Sequence, residues 1–278
     1  MRIQPTDTVL VTGASGGLGI HIVRAFAHRG VRLALVAYPG NELPGLRAES
    51  EKLGCESIAL VSDLRDRNER RKLLDAVIER FGRIDILVNN AGIEFTSFYH
   101  ELDEQKILDV LNVNLEAPML LTRMVLPQML QQRRGHVVNM SSLAGKSGPA
   151  FQESYSASKA GLIAFTSSLR TTYQNTGFSA SVIVPGFVEA GIYARLKADA
   201  GHPAPKLLGS LPPESVARAV LRAIEGDRQE IIVNQWPVRP LLALLALSPR
   251  FGQWVTNKLG TTDFFHEVVE AHRKNRAV

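Results

Sequence analysis

The sequence predicts an α/β fold: a Rossmann-like, doubly wound parallel sheet of about seven strands, in a single domain with a C-terminal helical extension. Short β-branched segments alternate with helical segments between residues 8 and 233, which is the rhythm of a parallel sheet. The chain also opens on a strand, a glycine-rich turn and a helix start, as dinucleotide-binding domains do. With 278 residues, 45% of them apolar, it can bury a substantial core.

Composition argues against several classes of function. A single cysteine, Cys55, allows no internal disulfide framework and no cysteine-based metal site, and we expect no bound metal. The N-terminus has no signal-peptide pattern, so we expect a cytoplasmic protein. A net charge of +5 suits an anionic ligand, but the basic residues are scattered, so we expect no nucleic-acid partner.

The first unit of the chain predicts a phosphate site. Residues 8–12 form a buried strand, residues 13–19 a glycine-rich turn, and residues 20–28 a helical pattern. Glycines let the backbone approach a ligand closely, while free N–H groups and the helix dipole hold an anion. We interpret the unit as the pyrophosphate site of a dinucleotide; the alternative is an ordinary tight connection.

The second strand, residues 31–37, bears on the choice of cofactor. Units that bind NAD carry an acid near the end of this strand, which binds the adenosine ribose hydroxyls. Here the strand leads into Tyr38 without an acid, and because an acid would repel the 2′-phosphate of NADP, its absence favours NADP. No arginine follows at once, the nearest downstream being Arg47, so NAD stays open.

The third strand, residues 57–62, follows a predicted helix over residues 42–53 and ends in Asp63 and Leu64. The Asp63 carboxylate could accept a hydrogen bond from the adenine amino group. It could equally cap the helix predicted over residues 65–81. The sequence alone leaves both interpretations open.

Amide side chains follow in the next unit. The fourth strand, residues 84–88, closes with Asn89-Asn90-Ala91-Gly92, at the edge where ligands bind in open parallel sheets. Helical material over residues 103–132 should break or kink near Pro118 and Pro127. Asn114 lies inside it, and a mid-helix asparagine is disfavoured unless its side chain has a task; the alternative is a solvated polar face.

Groups suited to acid–base chemistry come next. The fifth strand, residues 135–140, ends in Ser141 and Ser142. Tyr155 and Lys159 lie a turn apart on one face of a helix predicted to reach residue 173. A free tyrosine titrates near pH ~10, and a nearby ammonium lowers that pKa, so the pair is a plausible acid–base unit. Alone, it could also be a chance pair on a solvated face.

The remaining strands are residues 178–184, closed by Pro185 and Gly186, and residues 230–233. Between them, residues 189–211 are rich in glycine and proline and follow a strand end. We expect a mobile lid over the substrate, the alternative being an ordinary surface loop.

The C-terminal extension, residues 236–260, contains an apolar run over residues 241–247 between Arg239 and Arg250. A helix without a polar face must be buried, cover a pocket, pack on another subunit or touch a membrane surface. We expect packing or pocket cover rather than membrane contact, and hence a lipophilic substrate. The polar tail, residues 266–278, should fray.

Taken together, these motifs resemble those of the classical short-chain dehydrogenase/reductase family. The resemblance covers about residues 6–233 and rests on an ordered set with the family's spacing: Thr12-Gly13-x-x-x-Gly17-x-Gly19, Asn89-Asn90-Ala91-Gly92, Asn114, Ser142, Tyr155-x-x-x-Lys159 and Pro185-Gly186. It implies an NAD(P)-dependent oxidoreductase that interconverts a carbonyl and an alcohol by hydride transfer.

The resemblance also implies a role for each catalytic residue. Tyr155 would exchange a proton with the substrate oxygen, which Ser142 would orient. Lys159 would lower the Tyr155 pKa and bind the nicotinamide ribose, and Asn114 would hold a water that links Lys159 to solvent.

A larger set would bind the cofactor, NADP or NAD with NADP favoured. Its members are Gly13, Ser15, Gly17, Leu18, Gly19, Tyr38, Asp63, Leu64, Asn90, Ala91, Gly92, Tyr155, Lys159, Pro185, Gly186 and Val188. Two positions depart from the family pattern. Ala190 stands where a threonine often contacts the nicotinamide carboxamide, and Gly16 stands where many NADP-using members carry Arg or Lys.

The expected partner is a small lipophilic carbonyl or alcohol, with the chain acting as a homodimer or homotetramer. One rival is a non-catalytic dinucleotide sensor or scaffold, which would have no use for the proton donor Tyr155. A second rival is a membrane-surface protein organised by residues 236–254.

Overall fold

The computed structural model describes residues 1–206 and 208–276. Within these residues, seven parallel strands form one sheet in the order β3-β2-β1-β4-β5-β6-β7. The strands are β1 Thr8–Thr12, β2 Arg32–Ala37, β3 Ser57–Val61, β4 Ile86–Asn89, β5 Gly135–Met140, β6 Phe178–Pro185 and β7 Glu230–Val233. The predicted doubly wound sheet is confirmed.

Helices connect the strands and cover both faces of the sheet. They are α1 Gly17–Ala27, α2 Leu43–Lys52, α3 Arg67–Phe81, α4 Glu104–Leu111, α5 Ala117–Gln131, α6 Ala144–Ser147, α7 Glu153–Thr172, α8 Gly191–Ala200, α9 Pro213–Glu225, α10 Arg239–Leu247, α11 Pro249–Lys258 and α12 Thr261–Arg276. A π-helical turn, Asn112–Glu116, joins α4 to α5, and a 3₁₀ turn spans Tyr99–Glu101.

Alternate residues of each central strand enter two separate cores. Val9 and Val11 of β1 pack on the side of Phe26 and α9, whereas Leu10 packs on the opposite side with Leu121 of α5. Because the side chains of a strand alternate between its faces, a strand covered on both faces must be apolar throughout. The strand β1 is accordingly buried at every position.

The strand order places a ligand crevice at one edge of the sheet. From β1 the chain builds outward to β2 and β3 on one side, and from β4 to β7 on the other. The crossovers therefore diverge at the carboxyl ends of β1 and β4, where open parallel sheets bind ligands. The glycine-rich turn after β1 and the asparagines after β4 meet there.

The long helical segment differs from the expected break. A π-helical turn precedes Pro118, so the chain changes hydrogen-bond pattern there instead of ending a helix, and α5 continues through Pro127. The π turn centres on Asn114, and such turns are frequent at functional sites.

Within its described residues, the predicted lid contains one helix, in its first half. Its first half forms α8, and its base is fixed by a backbone bond from Glu189 N–H to Leu211 O (2.9 Å) and another from Leu211 N–H to Phe187 O (3.0 Å). Residue 207 of this segment lies outside the described residues.

The C-terminal region departs most from expectation. The apolar helix α10 has no buried residue, and Leu247 is 84% exposed, so α10 is not buried within the described chain. The expected packing on another subunit stays a prediction. The tail expected to fray, residues 266–278, is instead helical as far as Arg276, as the continuation of α12. Its Val268 is buried against the lid together with the preceding Phe264 and Phe265; residues 277 and 278 lie outside the described chain. No helix in the described residues is long and apolar enough to cross a membrane.

Candidate active site

An open crevice lies at the carboxyl ends of the strands, with ≈ 940 Å³ of empty space when the open solvent at its mouth is included. The glycine-rich turn forms one end, the motif after β4 and the end of β6 form its walls, and α8 forms a roof. The lining residues are Gly13, Gly16, Gly17, Leu18, Asn90, Ala91, Gly92, Met140, Ser141, Ser142, Gln152, Tyr155, Lys159, Pro185, Gly186, Phe187, Val188, Ala190, Gly191, Ile192, Tyr193, Leu196 and Phe265.

The glycine-rich turn is packed so closely that side chains are excluded. Gly13 has φ +62, and a Cβ there would lie 2.8 Å from the Ala91 Cα. A Cβ on Gly19 would lie 2.0 Å from the Gly13 carbonyl oxygen. The first N–H groups of α1 have no acceptor within the helix, so the turn offers backbone donors and a positive dipole end to an anion.

Asn90 and Thr12 hold this turn against the end of β4. The Asn90 side-chain amide donates to the carbonyl oxygens of Thr12 and Gly13, both at 3.0 Å. The Thr12 hydroxyl accepts from the backbone N–H groups of Asn90 (3.0 Å) and Ala91 (3.1 Å). Asn90 therefore shapes the phosphate turn as well as lining the crevice.

The two serines after β5 have different contacts. The Ser141 hydroxyl, 3% exposed, donates to the Lys159 carbonyl oxygen at 2.8 Å. The Ser142 hydroxyl accepts from the Ala144 N–H at 3.2 Å, and it lies beside the Tyr155 hydroxyl inside the crevice, close enough to affect the Tyr155 pKa. The sequence could not separate these serines by strand alternation, and the structure places Ser142 on the phenol.

Burial controls the proton affinity of Tyr155. It raises the pKa of the phenol to about 12, and the hydrogen bond from Ser142 offsets only part of that effect. The expected lowering by the Lys159 ammonium is therefore not found: desolvation of the phenolate is the largest effect on the Tyr155 pKa, and it raises that pKa. A phenol with this pKa stays protonated at neutral pH and can act as a proton donor.

Lys159 lies against the Tyr155 ring with its charge poorly solvated. Its Nζ is 5.6 Å from the ring centroid and donates to the Met140 carbonyl oxygen at 2.9 Å. Burial lowers the pKa of Lys159 to about 8, because the ammonium loses its water. The amine therefore titrates close to neutral pH.

Asn114 is buried behind Lys159 and has specific partners. Its side-chain oxygen accepts from Ile93 N–H and its amide donates to Ile93 O, both at 2.9 Å. The same amide donates to the Ser158 hydroxyl at 3.2 Å. These bonds explain an asparagine in mid-helix and exclude the solvated-face alternative.

Most predicted site residues meet in the crevice, but some do not. Asn114 and Gly19 lie just behind its wall, while the following are outside its lining: Ser15, Tyr38, Asp63 and Leu64. Tyr38 is 60% exposed. The cofactor contacts assigned to these residues remain predictions.

Asp63 does not cap α3. The cap is Asp66, whose carboxylate accepts from Asn68 N–H and Glu69 N–H, so that alternative is wrong. The Asp63 carboxylate instead pairs with Arg65 at 2.6 Å, and this contact holds the pKa of Asp63 below its usual range.

Sequence reasoning missed the residues of the roof and far wall. Ile192, Tyr193 and Leu196 extend from α8, Phe265 from α12, and Gln152 from the link before α7. Arg195 ties the roof to the loop after β4 through an ion pair with the buried carboxylate of Glu94 (2.7 Å). Helical spacing of apolar residues in 191–200 was the available signal for the roof.

The crevice fits a dinucleotide better than a metal. Backbone donors and small residues form its phosphate end, and a lysine and two hydroxyls form its reactive end. No cluster of His, Cys, Asp and Glu in the described part of the chain could hold a metal ion.

Comparisons with known proteins agree with this geometry. A profile of the short chain dehydrogenase family matches residues 7–201. The ketoacyl reductase HetN of Nostoc sp. is 37% identical over 273 residues, covering 96% of this chain and 94% of HetN. The 3-oxoacyl-[acyl-carrier-protein] reductase FabG of Thermotoga maritima is 33% identical, covering 84% of this chain and 96% of FabG.

Two solved structures are also similar. The actinorhodin polyketide ketoreductase with NADPH superposes with a TM-score of 0.77 at 29% identity, covering 86% of this chain and 98% of the ketoreductase. A metagenomic short-chain oxidoreductase in complex with NADP gives a TM-score of 0.71 at 29% identity, and the superposition covers 83% of this chain and 97% of the oxidoreductase.

Proposed function

The chain belongs to the short-chain dehydrogenase family of oxidoreductases, and on that premise we propose that it is an NADP-dependent ketoreductase acting on a lipophilic, ketoacyl-type substrate. The observation that carries the proposal is the Tyr155 hydroxyl, which lies beside Ser142 inside the crevice with Lys159 against its ring.

Each step that this chain performs concerns the carbonyl oxygen of the substrate. Ser142 and Tyr155 bind that oxygen from one side, so that its developing negative charge meets two hydroxyl groups. Tyr155 then donates its proton, forming the alcohol. Lys159, with its pKa of about 8, returns a proton towards the phenolate, and Asn114 binds the hydroxyl of Ser158, the residue before Lys159. A nicotinamide held in the crevice would supply the hydride.

We propose that the chain works in the direction of carbonyl reduction. With its pKa raised to about 12 by burial, Tyr155 is protonated at neutral pH and can donate the proton that the forming alcohol needs. The ketoacyl reductases among the relatives support the same direction.

The cofactor is assigned to NADP on two grounds. The end of β2 carries no acid to repel a 2′-phosphate, and Tyr38 there is exposed. Two structural neighbours hold NADP or NADPH. The predicted NAD alternative is tested by comparing NADPH with NADH in the substrate-panel assay described below.

The substrate assignment rests on the walls beyond Tyr155. Phe187, Ile192, Leu196 and Phe265 make that end of the crevice apolar, which suits an acyl chain. Gln152 is the polar group among them.

We also propose that residues 1–278 act as one domain, in which residues 189–211 form the substrate lid. The location we assign is cytoplasmic, and the expected homodimer or homotetramer remains a prediction.

The test is a panel of ketones and ketoacyl thioesters incubated with the full chain and either NADPH or NADH, followed by nicotinamide absorbance. The proposal expects NADPH-dependent reduction of at least one ketoacyl thioester. A non-catalytic sensor would bind NADPH with no turnover across the panel, and that result would overturn the proposal.

A further inference from the structure

We propose that residues 236–258 form a docking surface for an anionic lipid bilayer, on which the protein rests without spanning it. This bilayer-docking surface is defined by Trp236, Leu244, Leu247, Phe251 and Trp254, with basic residues Arg239, Arg250 and Lys258 around them.

The apolar side chains of this surface face solvent although they could have been buried. Leu247 is 84% exposed, Trp254 56%, Trp236 55% and Leu244 47%. Phe251 and Trp254 stack with ring centroids 5.7 Å apart, so these two exposed rings form one aromatic pair. Exposed apolar groups of this size, concentrated in one short segment, indicate a binding surface.

The packing of α10 on α11 explains which leucines are outward. Leu245 lies against α11, where a Cβ on Gly252 would be 3.4 Å from the Leu245 Cβ. Leu244 and Leu247, three residues apart, share another face of α10, and both are exposed. In the pair of helices α10 and α11, Leu245 thus makes the contact between the helices, while Leu244 and Leu247 are exposed to solvent.

Charge distinguishes a bilayer from other occupants. No Asp or Glu occurs from residue 231 to residue 262, while Arg239, Arg250 and Lys258 all lie there. Arg239 also contacts Glu230 at 3.3 Å, just outside the segment. A face of leucine and aromatic rings bordered by cations is the pattern of helices that lie in the interface of an anionic membrane.

Both tryptophans of the chain, Trp236 and Trp254, lie in this segment. Tryptophan favours the headgroup level of a bilayer because its ring is apolar and its N–H is polar.

A second copy of the chain is a poorer fit to the same surface. Contact about a two-fold axis would bring identical patches together, and with them like charges from Arg250 and Lys258. The docking surface is also separate from the substrate crevice, since no described residue of 236–260 is among those lining the crevice.

The surface adjoins the crevice nevertheless. It begins just after β7, where Asn234 packs so closely that a Cβ on Gly186 would lie 2.3 Å from its side-chain oxygen. Gln235 packs closely against Gly209 of the lid segment, where a Cβ would lie 2.0 Å from the Gln235 side-chain oxygen. If the proposed ketoreductase function holds, a bilayer here would bring lipophilic substrates beside the lid.

The experiment measures binding of the full chain to vesicles by flotation and by tryptophan fluorescence, which reports on this surface because both tryptophans lie in it. Vesicles of phosphatidylcholine alone are compared with vesicles containing phosphatidylglycerol. We expect flotation and a blue shift with the anionic vesicles, quenching by brominated lipid, and loss of binding at ~1 M salt, where the Debye length is about 3 Å.

Matched variants assign the effect. Leu247→Glu should weaken binding at least about tenfold, whereas Leu53→Glu, at a leucine 42% exposed on α2's end, should not change it. Arg250→Gln with Lys258→Gln should weaken it about fivefold per charge. Circular dichroism checks that each variant is folded.

Two results would overturn the inference. One is the absence of anionic-vesicle binding by the parent chain. The other is self-association through this surface. It would appear as a blue shift and a dimer mass that both increase with protein concentration, that Leu247→Glu abolishes, and that added vesicles do not reduce. Turnover of a water-soluble ketone should be the same in Leu247→Glu and the parent. Absence of turnover in both proteins would count against the ketoreductase function and not against docking.

Discussion

The Ser141 hydroxyl donates to the backbone carbonyl oxygen of Lys159 at 2.8 Å. This bond joins the end of β5 to the first turns of α7, so the segment that carries Ser142 is fixed against the helix that carries Tyr155. The neighbouring serines thus divide two tasks: one holds the elements together, and the other contacts the phenol.

That division predicts different outcomes for the two serines. Ser142→Ala removes a hydrogen-bond donor to the developing oxyanion and should lower kcat about 10²–10³-fold. Ser141→Ala removes a buried structural bond, so it should lower the free energy of unfolding by about 1 kcal/mol and leave kcat within about tenfold. Steady-state kinetics and urea unfolding of both variants check this, and equal loss of kcat in both would contradict the division.

The pH dependence of carbonyl reduction should report Lys159. Its pKa is lowered to about 8 by burial, so it loses its proton as the pH rises through that value, while Tyr155, with a pKa raised to about 12, keeps its own. The rate should therefore fall above pH ~8. In Lys159→Met the rate should be lower throughout and should lack this fall; an unchanged fall would assign it to another group.

Phe265 should set the length or bulk of the acyl chain. It is 3% exposed, lines the crevice and packs edge-on against Phe264, with ring centroids 5.4 Å apart. Phe265→Ala should destabilise the fold by about 3–5 kcal/mol, so Phe265→Leu is the milder companion. Both should raise kcat/KM for long or branched substrates relative to short ones; an unchanged ratio in the folded Leu variant would remove Phe265 from the substrate wall.

Cofactor choice should respond to a charge after β2. Ala37 is 5% exposed, so Ala37→Asp would bury a carboxylate as well as repel a phosphate, whereas Tyr38 is 60% exposed. Tyr38→Asp should therefore lower the ratio of NADPH to NADH kcat/KM by about tenfold or more, because a carboxylate repels the 2′-phosphate. Tyr38→Asn is the neutral control, and an equal change in both variants would argue against charge as the cause.

The sequence alone was sufficient to predict a structural feature where the local residue pattern and the burial in the folded chain agree. The strand Thr8–Thr12 has the predicted bounds because it is apolar on both faces and ends at glycine. Asn114 was identified by a local conflict, an amide in mid-helix, and its bonds to Ile93 resolve that conflict.

The errors arose where an outcome depends on distant parts of the chain. The tail after residue 265 looked polar, yet Val268 of α12 is buried in one cluster with Tyr193 and Leu196 of the lid. The apolar helix α10 was expected to pack or to cover a pocket, and in the described part of the chain Leu247 stays 84% exposed. The phenol pKa could not be read from a Tyr-to-Lys spacing, because the degree of burial of Tyr155 decides its direction.

Turnover and NADPH affinity of Tyr155→Phe, measured on the same folded protein, test the account most directly. The change removes only the hydroxyl that Ser142 contacts, so turnover should fall by about 10²–10⁴-fold or more while the Kd for NADPH stays within about threefold. Near-normal turnover of any accepted substrate by Tyr155→Phe would contradict the role of this phenol as the proton donor.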